Sequence, residues 1–268
     1  MVSSAYAAEV RKDIEYASVN GVSLQFDASI PDGKGPFPAA VVVHGGGWVR
    51  GDRRIDVAPL LPPLADAGIA WFSISYRLVS DPLQFGAAID DVVAAVRFVR
   101  DHAAEYRVDP DRIALVGESA GGQLAAMAAF AVPVKAVVAL YAPTDLTGLL
   151  DSTELIPSQI RDRFKGTPLE VLLRGRLKQL SPIANVRPDM PPFLLIHGTA
   201  DPLVPFDQSR AMCEKMTAVG ASCELFPVRG AGHGVRWWEG NPAISEPYKE
   251  KMARWLTDRL AVKRVIAL

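Results

Sequence analysis

Residues 113–122 read IALVGESAGG, a short apolar run followed by the pattern G-x-S-x-G. The apolar run predicts a buried strand, and the small apolar residues after it predict a helix. Gly117 and Gly121 flank Ser119 at the sharp turn between them, where a side chain would collide with neighbouring backbone. The stretch therefore predicts a serine hydroxyl raised above the carboxyl end of a strand, at the N-terminus of a helix.

Similar apolar runs recur along the chain and alternate with helical patterns. They lie at residues 39–43, 70–75, 113–116, 136–140, 193–196 and 224–228. This alternation predicts an α/β fold with a mostly parallel sheet and helices on both faces. Residues 14–18 and 22–28 alternate around Asn20-Gly21, a preferred hairpin turn, so we expect an antiparallel pair before the parallel strands.

One segment departs from this rhythm. Residues 144–190 carry mixed charge and prolines at 157, 168, 182 and 188. We expect a single domain over residues 1–268, with 144–190 inserted between two strands as a small cap or lid. An insertion there lies over the carboxyl ends of the strands, where open α/β sheets bind ligands.

Composition restricts the partners. The 29 Lys+Arg and 30 Asp+Glu residues give a net charge of −1, and no basic run is present, so nucleic acid and anionic membranes are not expected partners. The longest apolar stretch, Leu124 to Val134, is too short for a membrane span. The sequence favours a small-molecule ligand and leaves the oligomeric state open, with a homodimer among the options.

A glycine-rich loop follows the first of the parallel strands. His44-Gly45-Gly46-Gly47-Trp48 exposes consecutive backbone N–H groups, which a hole for a negatively charged tetrahedral oxygen requires. A triple glycine alone is more often a flexible turn. Before a serine turn it indicates an oxyanion hole, which we assign to the amides of Gly46, Gly47 and Ala120.

A nucleophilic serine needs a base, and the chain has four histidines. His102 fits a helix surface, and His44 and His197 each end a strand, where an imidazole more often ties down a loop. His233 lies in a glycine loop after the last predicted strand and is the expected base, since the order serine, acid, histidine fits this type of site.

The acid that orients the histidine is expected at Asp201, which follows the strand at 193–196. Asp207 is a competitor that suits the N-cap of the next helix better, and Asp145 follows an earlier strand. Glu118, beside the serine, is expected to be a buried, paired carboxylate with a structural role.

Trp48, Trp237 and Trp238 flank these loops and are candidates for the walls of an acyl or alcohol pocket. Adjacent Trp237 and Trp238 cannot both point inward if the segment is extended, so one of them is expected to face substrate.

Two cysteines, Cys213 and Cys223, exclude a cysteine-based metal cluster and leave two alternatives, one disulfide or two half-buried thiols. Residues 3–9 contain a small-x-small pattern typical of signal-peptide cleavage, with no apolar region before it. A secreted or periplasmic location is favoured if the N-terminus is a trimmed signal peptide, and a cytoplasmic one otherwise.

Taken together, the motifs resemble α/β-hydrolases of the esterase/lipase superfamily. Three stretches, HGGGWVRGD (44–52), VDPDRIALVGESAGGQ (108–123) and PPFLLIHGTADPLVP (191–205), are similar to bacterial bifunctional feruloyl and acetyl xylan esterases. Hormone-sensitive-lipase-like esterases share HGGGW but carry an N-terminal helical cap, whereas the residues before HGGGW here are patterned as strands.

The resemblance implies an α/β-hydrolase fold and a serine carboxylesterase that acts on short-chain or aromatic acyl esters. It implies an acyl-enzyme mechanism with Ser119, Asp201 and His233 and without metal or organic cofactor. Two alternatives stay open, an arylformamidase-like amidase and a catalytically inactive α/β-hydrolase that serves as a binding module.

Overall fold

The computed structural model describes residues 8–78, 85–152 and 166–262. Its strands are β1 (Ala8–Val19), β2 (Val22–Pro31), β3 (Phe37–Val43), β4 (Ala70–Ile74), β5 (Val108–Glu118), β6 (Ala136–Leu140), β7 (Phe193–Gly198) and β8 (Cys223–Val228). The α-helices are α1 (Leu61–Asp66), α2 (Phe85–Asp101), α3 (Ala120–Ala128), α4 (Leu146–Ser152), α5 (Pro168–Gln179), α6 (Asp207–Ala218), α7 (Val235–Trp238) and α8 (Pro242–Arg259). Short 3₁₀ turns lie at Ala58–Leu60 and Pro182–Asn185.

The strands form one eight-stranded sheet in the order β1-β2-β4-β3-β5-β6-β7-β8. β1 pairs with β2, and β2 with β4, in antiparallel fashion, and all other neighbours are parallel. Asn20 (φ 52°) and Gly21 (φ 79°) both lie in the left-handed region, as the tight hairpin turn between β1 and β2 requires. The expected sheet with an antiparallel N-terminal pair is confirmed.

Helices cover both faces of the sheet, because alternate residues of each parallel strand point to opposite sides. Val41 and Val43 of β3 belong to a core with α2, α3 and α6. Ala40 and Val42 belong to a second core with α1 and α8. Burial of both strand faces explains why the strands are continuous apolar runs in the sequence.

Some details differ from expectation. β5 begins at Val108, five residues before the predicted start, and Asp207 is the first residue of α6, not its N-cap, which is Phe206. Cys213 of α6 and Cys223 of β8 form a disulfide, so the first of the two alternatives holds. Among the helices of the described ranges, none combines the length and apolarity that crossing a membrane requires.

Two glutamine side chains bond to backbone atoms of residues 144–190, the segment predicted to be inserted. Thr144 and Asp145 donate their backbone N–H groups to Gln208 Oε1, at 2.8 and 2.7 Å. At the other end, Gln123 Nε2 of α3 donates to Leu180 O at 2.7 Å. Residues 153–165 in the middle of this segment, and the signal-like pattern before residue 8, lie outside the described residues.

Candidate active site

Ser119 occupies a strained turn between β5 and α3. Its φ of 52° and ψ of −122° are unusual for a residue with a side chain, and its N–H donates to Leu140 O at 2.9 Å. A Cβ at Gly117 would overlap the backbone of Gly121, and one at Gly121 would overlap the carbonyl oxygen of Val43. The glycines therefore let the strand and helix approach closely enough to raise the serine hydroxyl above the sheet.

His233 lies in the loop after β8 and contacts both predicted partners. Its Nε2 is 2.8 Å from Ser119 Oγ, and its Nδ1 is 2.7 Å from Asp201 Oδ2. A carboxylate only accepts, so Nδ1 carries the proton and Nε2 accepts from the serine hydroxyl. The imidazole edge packs against the buried ring of Tyr141, with 4.6 Å between centroids. The structure thus brings the three predicted residues together.

The Asp201 carboxylate is fully excluded from solvent, which makes its hydrogen bonds decisive. Oδ1 accepts the backbone N–H groups of Leu203 and Val204, both at 2.9 Å. Burial alone would raise the pKa of Asp201, but hydrogen bonds from His197, His233 and Val204 lower it below its ordinary value. The carboxylate is therefore ionised at neutral pH.

The competing acids lie elsewhere. Asp207 is exposed and pairs with Arg210, and Asp145 Oδ1 accepts the N–H groups of Thr147 and Gly148 at the start of α4. Asp201 is the only one of the three candidates with a hydrogen bond to His233.

The glycine loop after β3 lies beside the serine turn, because Val43 and Gly117 are paired neighbours in the sheet. Gly46 and Gly47 have φ of 104° and 62°, so the backbone is left-handed there. Within the described residues, the amides of Gly46, Gly47 and Ala120 donate no hydrogen bond. They are available to a ligand, as the oxyanion-hole assignment requires.

The start of this loop is held by buried side chains. Glu118 Oε1 accepts the Gly45 N–H at 2.5 Å, and Tyr76 Oη donates to the carbonyl oxygens of His44 and Gly45 at 3.1 and 3.2 Å. The His44 ring stacks on Tyr76, 4.3 Å between centroids, and burial lowers the pKa of this imidazole. His44 ties down the loop as a neutral side chain, in agreement with the sequence interpretation.

The three tryptophans differ in role. Trp238 is 2% exposed, packs edge-on against Tyr141 and Tyr248, and donates its indole N–H to Gly232 O at 3.0 Å. The expectation that Trp238 walls a pocket is wrong, because helix α7 turns the ring into the core, where it supports the histidine loop. Trp48 is half-buried and donates to Gln123 Oε1 at 2.9 Å, whereas Trp237 is 85% exposed.

Sequence reasoning missed Tyr141 and underrated His197. Tyr141 directly follows β6, the strand beside β5, and its hydroxyl accepts the Val235 N–H at 2.8 Å. His197 Nδ1 is 2.7 Å from Ser209 Oγ and Nε2 is 2.9 Å from Val204 O. A signal existed for both, since each stands at the carboxyl end of a parallel strand, the edge at which the other site residues gather.

Several known proteins resemble this chain. The BD-FAE family model matches residues 26–216, which is more than half of the chain. The chain belongs to the BD-FAE family. A second model, described as TAP-like protein, matches residues 177–257 of this BD-FAE chain.

The esterase LipQ of Mycobacterium tuberculosis is 32% identical over an alignment of 205 residues that covers 69% of this BD-FAE chain and 47% of LipQ. The chain spans about half the length of the curated relatives it matches first. Among solved structures, the thermophilic esterase Est2 of Thermogutta terrifontis has a TM-score of 0.77 and 27% identity, covering 97% of this chain and 95% of that one. A truncated carbohydrate esterase from gut microbiota has a TM-score of 0.78 and 26% identity, covering 97% and 99%.

These matches identify the fold as that of an α/β-hydrolase and support a serine ester hydrolase. The Thermogutta terrifontis enzyme has also been solved phosphorylated by paraoxon and phosphoramylated by tabun.

Proposed function

We propose that this chain is a serine carboxylesterase that hydrolyses short-chain or aromatic acyl esters through an acyl-enzyme. The observation that carries the proposal is the unbroken hydrogen-bond relay from Ser119 Oγ through His233 to Asp201, with links of 2.8 and 2.7 Å. A relay of this geometry activates a hydroxyl that is otherwise a weak nucleophile.

In the first half of the reaction, Ser119 Oγ attacks the ester carbonyl carbon as its proton passes to His233 Nε2. The carbonyl oxygen becomes an oxyanion held by the amides of Gly46, Gly47 and Ala120. Collapse of the tetrahedral intermediate breaks the bond to the alcohol, which leaves with the proton from His233. Asp201 holds the imidazole in the required tautomer and stabilises its charged form.

In the second half, water attacks the acyl-enzyme and gives a proton to His233. The second tetrahedral intermediate collapses, the carboxylic acid leaves, and the proton returns to Ser119 Oγ. His233 Nε2 accepts and returns the proton in each half, while the backbone amides only donate hydrogen bonds to the oxyanion.

The ligands and descriptions of similar proteins support the proposed substrate range. Structures of the Thermogutta terrifontis esterase are described with propionate and with butyrate bound, and another neighbour is described as a carbohydrate esterase. These descriptions favour a short acyl group here, and the resemblance of three sequence stretches to feruloyl and acetyl xylan esterases favours acetyl and feruloyl esters.

Trp237 is proposed to contact the alcohol part of the ester. A Cβ built on Gly234 would lie 2.9 Å from Trp237 Cδ1, so the indole lies against the residue that follows His233. His233 gives its proton to the leaving alcohol, and the contact of Trp237 with the next residue supports a position for the alcohol near this indole. An exposed aromatic face there suits an aryl ring or a sugar.

We further propose that residues 144–190 form a cap beside this site. The bond from Gln123, four residues after the nucleophile, to Leu180 O supports that position.

The disulfide between Cys213 and Cys223 supports an oxidising compartment, which favours a secreted or periplasmic location over the cytoplasm. A mass two hydrogens below that of the reduced chain, on protein isolated without reductant, tests the disulfide.

The proposed function is tested with Ser119→Ala. We expect this variant to keep the fold and to lose nearly all hydrolysis of p-nitrophenyl acetate, because the acyl-enzyme cannot form. A fluorophosphonate probe should label the wild type at Ser119 only. Acetyl, feruloyl and formyl-anilide substrates assayed side by side separate the esterase from an amidase, and wild-type protein that neither turns over esters nor takes up the probe is an inactive binding module.

A further inference from the structure

A buried polar path runs beside the nucleophile. The Glu118 carboxylate accepts the Gly45 N–H at 2.5 Å, and the Tyr141 hydroxyl is near enough to lower the pKa of Glu118. Tyr141 Oη in turn accepts the Val235 N–H at 2.8 Å. The path therefore joins the loop that carries the oxyanion amides to a residue two positions after His233.

The path is set by the sheet. Glu118 and Leu140 are paired across β5 and β6, which places Tyr141 beside Ser119. The Tyr141 N–H donates to Ile196 O at 2.7 Å, and its side chain is fully buried. Because the Tyr141 oxygen already accepts from Val235, its single proton is free to be donated to the Glu118 carboxylate.

Neither side chain touches the reacting atoms in the mechanism above. Glu118 is 7% exposed, and a buried carboxylate costs free energy unless its hydrogen bonds and charges compensate. Resting on the function proposed above, we propose that Glu118 and Tyr141 are positioning residues that hold the oxyanion loop and the histidine loop at a fixed separation on either side of Ser119.

The charges around Glu118 fit this role. Burial raises its pKa to about 6, while hydrogen bonds from Tyr141 and Gly45 and the nearby His233 favour the carboxylate form. Asp56 opposes ionisation, and the charge of Glu118 in turn raises the pKa of Tyr76 and Tyr141. An ionised Glu118 adds stabilisation to the imidazolium that forms on His233 during each proton transfer.

The test uses Glu118→Gln and Tyr141→Phe in the full chain, with p-nitrophenyl acetate as substrate. Glu118→Gln keeps the size of the side chain but removes its charge and one acceptor. We expect kcat to fall on the order of 100-fold with little change in KM, because misplaced loops weaken the transition state more than substrate binding. A purely structural role would lower the yield of folded protein and leave kcat per active site, titrated with the fluorophosphonate probe, unchanged.

Tyr141→Phe keeps the carboxylate and breaks the path at its other end. We expect a smaller fall in kcat, and the double variant should lose no more than Glu118→Gln alone, because the two residues act as a unit. Tyr248→Phe is the matched control. Tyr248 is a buried tyrosine of the same core whose hydroxyl bonds to Glu239, and its loss should leave kcat unchanged.

Wild-type kcat in both single variants, or losses that multiply in the double variant, overturn the proposal. If Glu118→Gln does not fold, the kcat of Tyr141→Phe is compared with that of Tyr248→Phe. A fall in kcat for Tyr141→Phe alone supports the positioning role, and equal values overturn it. An active wild type whose kcat survives both substitutions contradicts the positioning role alone, whereas an active Ser119→Ala contradicts the proposed function itself.

Discussion

His197 Nε2 lies 3.4 Å from Asp201 Oδ2, and neither side chain is exposed to solvent. Nε2 also faces Val204 O, and Val204 returns its N–H to Asp201 Oδ1, so the carboxylate is enclosed by donors on both oxygens. His197 contacts neither Ser119 nor His233 through a hydrogen bond in the described part of the chain. It fixes the acid, and the acid in turn fixes the base.

The enclosed carboxylate gives the first prediction. Asp201→Asn should keep the fold and lower kcat by about 10⁴-fold, because an amide no longer holds His233 in the tautomer that accepts the serine proton. Steady-state hydrolysis of p-nitrophenyl acetate measures the loss. Asp207→Asn is the matched control and should behave as wild type, since Asp207 is exposed. Equal losses in the two variants would show that Asp201 is not the acid.

Glu118 gives a pH prediction for stability. Its pKa rises from 4.5 to about 6 on folding, so the folded chain holds this proton more tightly than the unfolded chain. The stability that it contributes is present below 4.5 and is lost as pH rises through about 6, a change of about 2 kcal/mol. Urea unfolding of wild type and Glu118→Gln at several pH values isolates this term, because the other groups are common to both. Parallel stability curves would contradict it.

Two glycines give opposite predictions for the same change. Gly121→Ala should lower the free energy of unfolding by about 3 kcal/mol, because the new methyl group overlaps backbone carbonyls of Val43 and His44 that cannot rotate away. Gly175→Ala, inside α5, should gain about 0.5–1 kcal/mol, because beyond its own helix turn no described atom lies within 4 Å of the new Cβ. Urea denaturation measures both, and a mild effect at Gly121 would mean that the turn can relax.

We expect Trp237 to affect which alcohol groups the enzyme accepts in its ester substrates. Trp237→Ala should lower kcat/KM about three- to tenfold for acetylated xylose oligomers and p-nitrophenyl acetate, and leave ethyl acetate unchanged, since ethanol is too small to reach an aromatic face. Because Trp237 is 85% exposed, the melting temperature should hold. Val22→Ala, an exposed residue of the β1–β2 hairpin, is the control. An equal loss of kcat/KM with ethyl acetate would mean that the substitution disturbs His233 and that Trp237 does not contact the alcohol part of the substrate.

The local motifs were predictable because their chemistry depends on neighbouring residues. The turn around Ser119 needs glycines two positions away on each side, and strand runs buried on both faces leave a strong apolar signal. Sheet order and the residues that face each other across it depend on distant pairing. Tyr141 lies 23 residues from Glu118 in the chain, and only the pairing of β5 with β6 brings them together.

Trp238 shows how a local error arises. In an extended segment Trp237 and Trp238 alternate sides, but neither direction is fixed relative to the core by sequence alone. The structure has a helical turn at Val235–Trp238, and packing against Tyr141 and Tyr248 decides which ring is buried. Tyr141 directly follows β6 and Tyr248 lies in α8, so the outcome depends on tertiary packing.

The side chains of Gln208 and Gln123 hold the proposed cap through its backbone atoms. Gln208 accepts from the backbone N–H groups of Thr144 and Asp145, and Gln123 donates to the backbone carbonyl oxygen of Leu180. Every residue other than proline has both of these backbone groups. A replacement segment that keeps these backbone positions can therefore form the same hydrogen bonds. A library of segments grafted between them, with the buried Leu146 and Leu149 kept, tests whether the proposed cap selects the acyl group.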